Sequence, residues 1–160
     1  MPKLTQLREG PLAVTPAAPL DTRDTWRVTL TADETADDSD KVFTVSADEE
    51  WQVLWIWVEY TSTAAVGDRQ LVIQIQDEAD DVVGEVRAGV VQAASLTYYY
   101  MFAAALADLT AERDTDYLMT PLPAGLVLPA GYDIRIYDNN AVDAQADDMI
   151  VQMGYAYRAV

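Results

Sequence analysis

The chain contains no cysteine and no histidine. Without cysteine there is no disulfide scaffold, no thiolate nucleophile and no cysteine-based zinc site. Without histidine, the commonest general base and the commonest transition-metal ligand are both missing. Lysine is confined to Lys3, near the start, and Lys41, beside an acidic loop; neither position reads as a buried Schiff-base lysine. Ser39, Ser46, Ser62 and Ser95 have no histidine to activate them, and none lies in a Gly-x-Ser-x-Gly elbow. Glycine motifs that cradle phosphates are absent. No stretch approaches the ~18 apolar residues of a membrane span. The N-terminal residues, interrupted by Arg8, Glu9 and four prolines, do not read as a secretory signal.

Positive charge is scarce as well. Ten basic residues face 27 acidic ones, a formal net charge of −17. Such a surface repels the phosphates of nucleic acid and the anionic face of a membrane, so neither is an expected partner. Carboxylates are the remaining catalytic resource, since glycoside hydrolysis needs only two. Almost all of them fall in predicted loops, however, and the chain reads as a non-enzyme. The acidic clusters Asp37–Asp40, Asp77–Asp81 and Asp143 with Asp147 and Asp148 offer oxygen ligands of the kind calcium takes. None has EF-hand spacing, and they read as solubilising loops; no cofactor, metal site or catalytic residue is expected.

What is present is a single domain's worth of chain, 160 residues with 51% hydrophobic residues. Residues 1–27 carry four basic and three acidic residues, net +1, which leaves −18 for the rest. Pro2, Pro11, Pro16 and Pro19 lie in this first stretch. Proline fixes φ and donates no hydrogen bond, so residues 1–22 are expected to form an extended arm, followed by one domain over 23–160. Leu4, Leu7, Leu12, Val14 and Leu20 supply the arm with apolar anchors for a neighbouring subunit.

From Trp26 onward the two-residue period of β-structure dominates. Trp26, Val28 and Leu30 alternate with Arg27, Thr29 and Thr31, before an acidic turn from Asp33 to Asp40. A short strand covers Val42–Val45, and the strongest covers Trp51–Thr61. On the latter, Leu54, Ile56, Val58 and Tyr60 are expected on one face and Val53, Trp55 and Trp57 on the other. Leu71, Ile73 and Ile75 face in, against Gln70, Gln74 and Gln76. Further strands are read at Val82–Ala88, Ser95–Phe102, Leu126–Leu128, Tyr132–Tyr137 and Met149–Tyr157, while residues 103–113 read as a loop or a short helix. Two Pro-Ala-Gly triplets, at 123–125 and 129–131, carry turn chemistry. Eight or nine strands with frequent turns predict an all-β fold, a single antiparallel β-sandwich of jelly-roll type.

A two-layer sandwich has one inner face per sheet. Successive strand residues point to opposite faces, so Trp55, Trp57 and Tyr99 leave the faces used by Ile56, Tyr98 and Tyr100. A second apolar face follows, one that requires a cover from the arm, a long loop or another subunit. Stacked aromatics that bind glycans are the competing reading of these residues.

The segments PLPAGLVLPAGYDIRIYD (121–138), AVDAQADDM (141–149), TSTAAVGDR (61–69) and QAASLT (92–97) resemble small structural proteins of tailed bacteriophages. The resemblance covers roughly residues 50–153 and rests mostly on turn and strand grammar. It implies a virion protein with a jelly-roll-like domain, made in the host cytoplasm and carried on the capsid surface. In this reading the chain is a capsid cement (decoration) protein that stabilises the shell, its partners being the major capsid protein and its own copies in a homotrimer. The expected interface residues are Leu4, Leu7, Leu12, Val14, Leu20, Trp55, Trp57 and Tyr99. A tail, fibre or head–tail adaptor protein, with glycan binding for host attachment, is the alternative.

Overall fold

A computed structural model describes residues 25–37, 40–106, 115–140, 142–143 and 146–160. The arm residues Leu4, Leu7, Leu12, Val14 and Leu20 lie outside the described residues, as does most of the ambiguous 103–113 segment.

The described residues form ten strands: β1 (Arg27–Asp37), β2 (Lys41–Thr44), β3 (Glu49–Thr61), β4 (Leu71–Gln76), β5 (Val82–Arg87), β6 (Thr97–Ala104), β7 (Tyr117–Leu122), β8 (Val127–Leu128), β9 (Asp133–Asp138) and β10 (Asp148–Ala159). They make two sheets. One has the order β1-β10-β3-β6-β7, with β8 also pairing β3; the other has the order β2-β9-β4-β5. With β7 and β8 set aside, the eight remaining strands interleave as a jelly roll, the chain passing from sheet to sheet except at the β4–β5 hairpin. Among the described strands all pairings are antiparallel but β6–β7, which is parallel. The chain is therefore an all-β sandwich, and no described helix is long and apolar enough to cross a membrane.

The two sheets close on one core. Ile56, Val58, Tyr60, Tyr100, Phe102, Met149, Val151 and Met153 from the larger sheet meet Phe43, Leu71, Ile73, Ile75, Ile134 and Ile136 from the smaller. The two Pro-Ala-Gly triplets do turn the chain. Gly125 and Gly131 have φ of 73° and 79°, a left-handed conformation that glycine adopts without a Cβ penalty.

Three expectations are corrected. Asp33–Asp37 is not part of the acidic turn, since β1 runs on to Asp37 with an irregularity in its pairing between Asp33 and Asp37. Residues 117–122, absent from the strands read in the sequence, pair with β6 as β7 (Tyr117–Leu122). Within β3 the alternation breaks at Leu54. Trp55 lies opposite Gly154 and Val53 opposite Tyr155, so Leu54 is the extra residue of a β-bulge. The bulge changes the phase of the strand, and Trp51 and Val53 face the core together with Ile56, Val58 and Tyr60.

Candidate binding face

The bulge leaves Trp55 and Trp57 on the side of β3 turned away from the core. Their neighbours across the sheet follow from the register. Trp57 pairs with Met101 on β6 and Gln152 on β10, while Trp55 pairs with Ala103 and Gly154. Farther out, Tyr99 and Met101 lie beside Tyr117 and Met119 of β7, and Gly154 and Ala156 lie beside Leu30 and Val28 of β1. A band of apolar and aromatic side chains thus crosses the outer side of the larger sheet from edge to edge, flanked on the same side by Glu34, Glu59, Asp148 and the Glu50–Arg158 ion pair. Val28 and Leu30 keep 71% and 67% of their surface exposed, far more than the core allows.

Ring contacts order this face. Trp57 and Tyr99 stack with centroids 6.1 Å apart, and Tyr99 and Tyr117 stack at 4.7 Å. Gly154 seats Trp55: a methyl group built on its Cα would penetrate the indole, so only glycine lets the ring lie across β10. Between the two tryptophans runs an open groove of about 520 Å³, lined by Trp55, Trp57, Met101, Ala103, Leu106 and Gln152. Its polar member, Gln152, donates its side-chain amide to Glu34 at 3.0 Å. Of the sequence-predicted interface residues, the structure brings Trp55, Trp57 and Tyr99 together on this one face.

The outer side of the smaller sheet is built differently. Val42, Arg135, Gln74 and Glu85 form one row across it. Arg135 binds Asp40 through Nε at 2.8 Å, and its guanidinium lies 4.3 Å from the ring centroid of Tyr137. Arg87 pairs with Glu85.

At one end of the sandwich, buried polar groups tie the loops together. Arg69, without exposed surface, donates through Nε to Asp147 Oδ2 at 2.6 Å and through Nη2 to Oδ1 at 3.1 Å. The Thr63 amide and the Tyr60 hydroxyl also donate to Asp147. Burial alone would raise the Asp147 carboxyl; hydrogen bonds from Arg69 and Thr63 outweigh it and hold the group below the ordinary carboxylate range. Burial, reinforced by Asp138 and Asp147, pushes the Tyr60 phenol well above its usual value. Gln92 completes the network, accepting from Tyr100 and donating to the carbonyls of Tyr60 and Leu96. Asp147 thus serves an ion pair and Asp143 accepts from Thr63 Oγ1, while Asp77 caps its own turn through Ala79 and Asp81.

Lys41 departs from its sequence reading. It is buried, and its ammonium is held by Asp37 at 2.5 Å, the Thr35 carbonyl at 2.8 Å and Asp33 at 3.4 Å. Three oxygen acceptors satisfy a cation that burial would otherwise penalise. These contacts tie the start of β2 to the far end of β1.

No protein-family model and no curated protein matches this chain.

Proposed function

We propose that the chain is a structural protein of a tailed-bacteriophage particle, a capsid decoration protein that seats the outer face of its larger sheet against the shell or sister copies. The observation that carries this reading is the unequal surface: one outer face with a band of stacked aromatic and apolar side chains crossing every strand of its sheet, the other with Arg135 and Arg87 ion-paired along it and no such band. A contiguous apolar face of this kind marks an interaction surface. The resemblance of segments 61–69, 92–97, 121–138 and 141–149 to phage structural proteins supplies the kind of partner. The role is mechanical. Each copy buries apolar area at about 25 cal/mol per Å² before association costs. Repetition over a lattice turns modest contacts into strong reinforcement. The major capsid protein is the partner, and copies of the chain associate as trimers on the outside of the virion.

The glycan reading is less well supported. A sugar platform needs polar groups around its aromatics, and the polar side chain in the tryptophan groove already donates to Glu34.

Mass spectrometry of purified particles of the phage that encodes the chain tests the proposal. Hundreds of copies per particle are expected. A dozen copies or fewer would place the chain at a tail or a connector instead, and absence from the particle would overturn the reading.

A further inference from the structure

A sheet edge exposes unpaired amides and carbonyls, and proteins that stay monomeric protect it. Among the described strands, every edge but one is protected. β7 carries Pro121, and β8 is two residues long. β2 has four residues, while β5 pairs irregularly and bears the Glu85–Arg87 ion pair. β1 is the exception. It pairs regularly with β10 from Arg27 to Asp33, contains neither proline nor lysine, and has no described strand on its other side. Val28 and Leu30, 71% and 67% exposed, stand on this open edge. We infer that β1 is a two-fold seam, pairing antiparallel with β1 of a second copy so that two larger sheets become one. The seam goes beyond the proposed function and needs no shell to form.

Register is the first argument. Residues directly opposite on antiparallel strands face the same side of the sheet, so a two-fold seam centres on one residue. Centred on Leu30, β1 is complementary to itself. Arg27 falls opposite Asp33 of the second copy, Val28 opposite Ala32, Thr29 opposite Thr31, and Leu30 opposite its own copy. Symmetry makes each unlike pair occur twice. An ion pair therefore closes the ladder at both ends, with threonine pairs inside it and aliphatic side chains along the outer side. Opposite charges and paired threonines are favourable cross-strand neighbours. A centre at Thr29 or Thr31 sets Arg27 against a threonine, and a centre at Ala32 sets Leu30 against Glu34.

The surrounding charges are the second argument. Arg27 has no ion-pair partner among the described residues, although Asp48 and Glu49 line the same hollow. Asp33 approaches the Lys41 ammonium at 3.4 Å, but Asp37 holds that cation closer, at 2.5 Å. Glu34 falls opposite Trp26 of the second copy, whose ring lies under the guanidinium of Arg158, the partner of Glu50. Repulsion between two bodies of net −17 opposes association, and physiological salt screens it beyond roughly 8 Å. Joined at this seam, the aromatic bands of two copies merge through Val28, Leu30 and Ala32 of each. A two-fold contact of this kind links one trimer to the next and leaves the rest of the band for the shell.

Sedimentation velocity of the purified full chain over a concentration series tests the seam. A dimer is expected, and a monomer at millimolar concentration would overturn the inference. Arg27→Asp and Asp33→Arg each set like charges opposite at both ends of the ladder, and each is expected to dimerise about tenfold more weakly. An equimolar mixture of the two restores both ion pairs and should associate as the parent chain does; a mixture no better than its components overturns the register. The chain has no cysteine, so one introduced thiol reads the register without touching these charges. Leu30→Cys should give a disulfide-linked dimer under mild oxidation, well ahead of Val66→Cys at a position 95% exposed. Equal rates at the two positions count against the seam. Linking through Met101→Cys in place of Leu30→Cys would assign self-association to the aromatic band and overturn it. None of these measurements uses phage particles, so failure here leaves the decoration reading standing, and absence from particles leaves the seam standing.

Discussion

The two sheets share one core, yet the sides they turn away from it have little in common. On the smaller sheet, Arg135 is held between Asp40 and the Tyr137 ring, and Arg87 pairs with Glu85; this side meets water on its own terms. On the larger sheet, Trp57, Tyr99 and Tyr117 stack in a row, Trp55 lies on Gly154, and Val28 and Leu30 stand largely bare. Folding alone explains the first arrangement. It does not explain the second, because a sandwich is complete once its inner faces meet. Side chains that folding does not use on an outer face point to association.

Breaking the frame that both faces share gives the largest effect. Arg69→Met leaves Asp147 buried without its cation and is expected to cost about 3–5 kcal/mol, measured by chemical denaturation. Phe102→Ala, on the inner side of β6, should cost a similar ~3–5 kcal/mol through the cavity it leaves. The same ion pair sets an acid limit. The folded carboxyl of Asp147 is depressed below its unfolded value, so the unfolded chain takes up this proton more readily. The stability it contributes is complete above about pH 4, the unfolded value, and is lost as the pH falls further through the folded pKa. In Asp147→Asn this part of the acid slope should vanish from a stability–pH curve.

Next in size is Gly154→Val, which forces Trp55 out of its seat. Overpacking of this kind costs about 1–3 kcal/mol, and near-ultraviolet circular dichroism should report the displaced indole. Trp57→Ala removes a ring stack worth about 1 kcal/mol, while attachment to particles, measured by co-sedimentation, should fall at least tenfold. Equal losses of folding and attachment would mean that Trp57 is ordinary packing. The smallest effect belongs to the other side: Arg135→Ala gives up an exposed ion pair and should change stability by under about 1 kcal/mol, with attachment unaltered.

Much of this was legible from residue order. Strand alternation placed most elements, and the surplus of aromatics on β3 and β6 announced a second apolar face before any pairing was known. The side taken by Val53 and Leu54 was not legible, because a bulge is defined by two residues facing one on the partner strand, and the sequence of β3 alone does not state its partner. A phase break in an all-apolar run was the available signal. The continuation of β1 through Asp33–Asp37 was hidden for a related reason. Its carboxylates read as a turn until Lys41, at the start of β2, is seen to bind Asp33 and Asp37. The Arg69–Asp147 pair joins residues 78 positions apart, and nothing local to either marks the other. β7 was missed because Pro121 argues against a sheet interior; it sits at the sheet edge, where a missing donor is tolerated.

Imaging of the intact particle by electron cryo-microscopy tests the central claim most directly. The account predicts a jelly-roll density repeated over the outside of the capsid, with the side bearing Trp55 and Trp57 turned toward the shell or a sister copy. A particle without that density, or one that presents those tryptophans to solvent while the Arg135 side makes the contact, would contradict it.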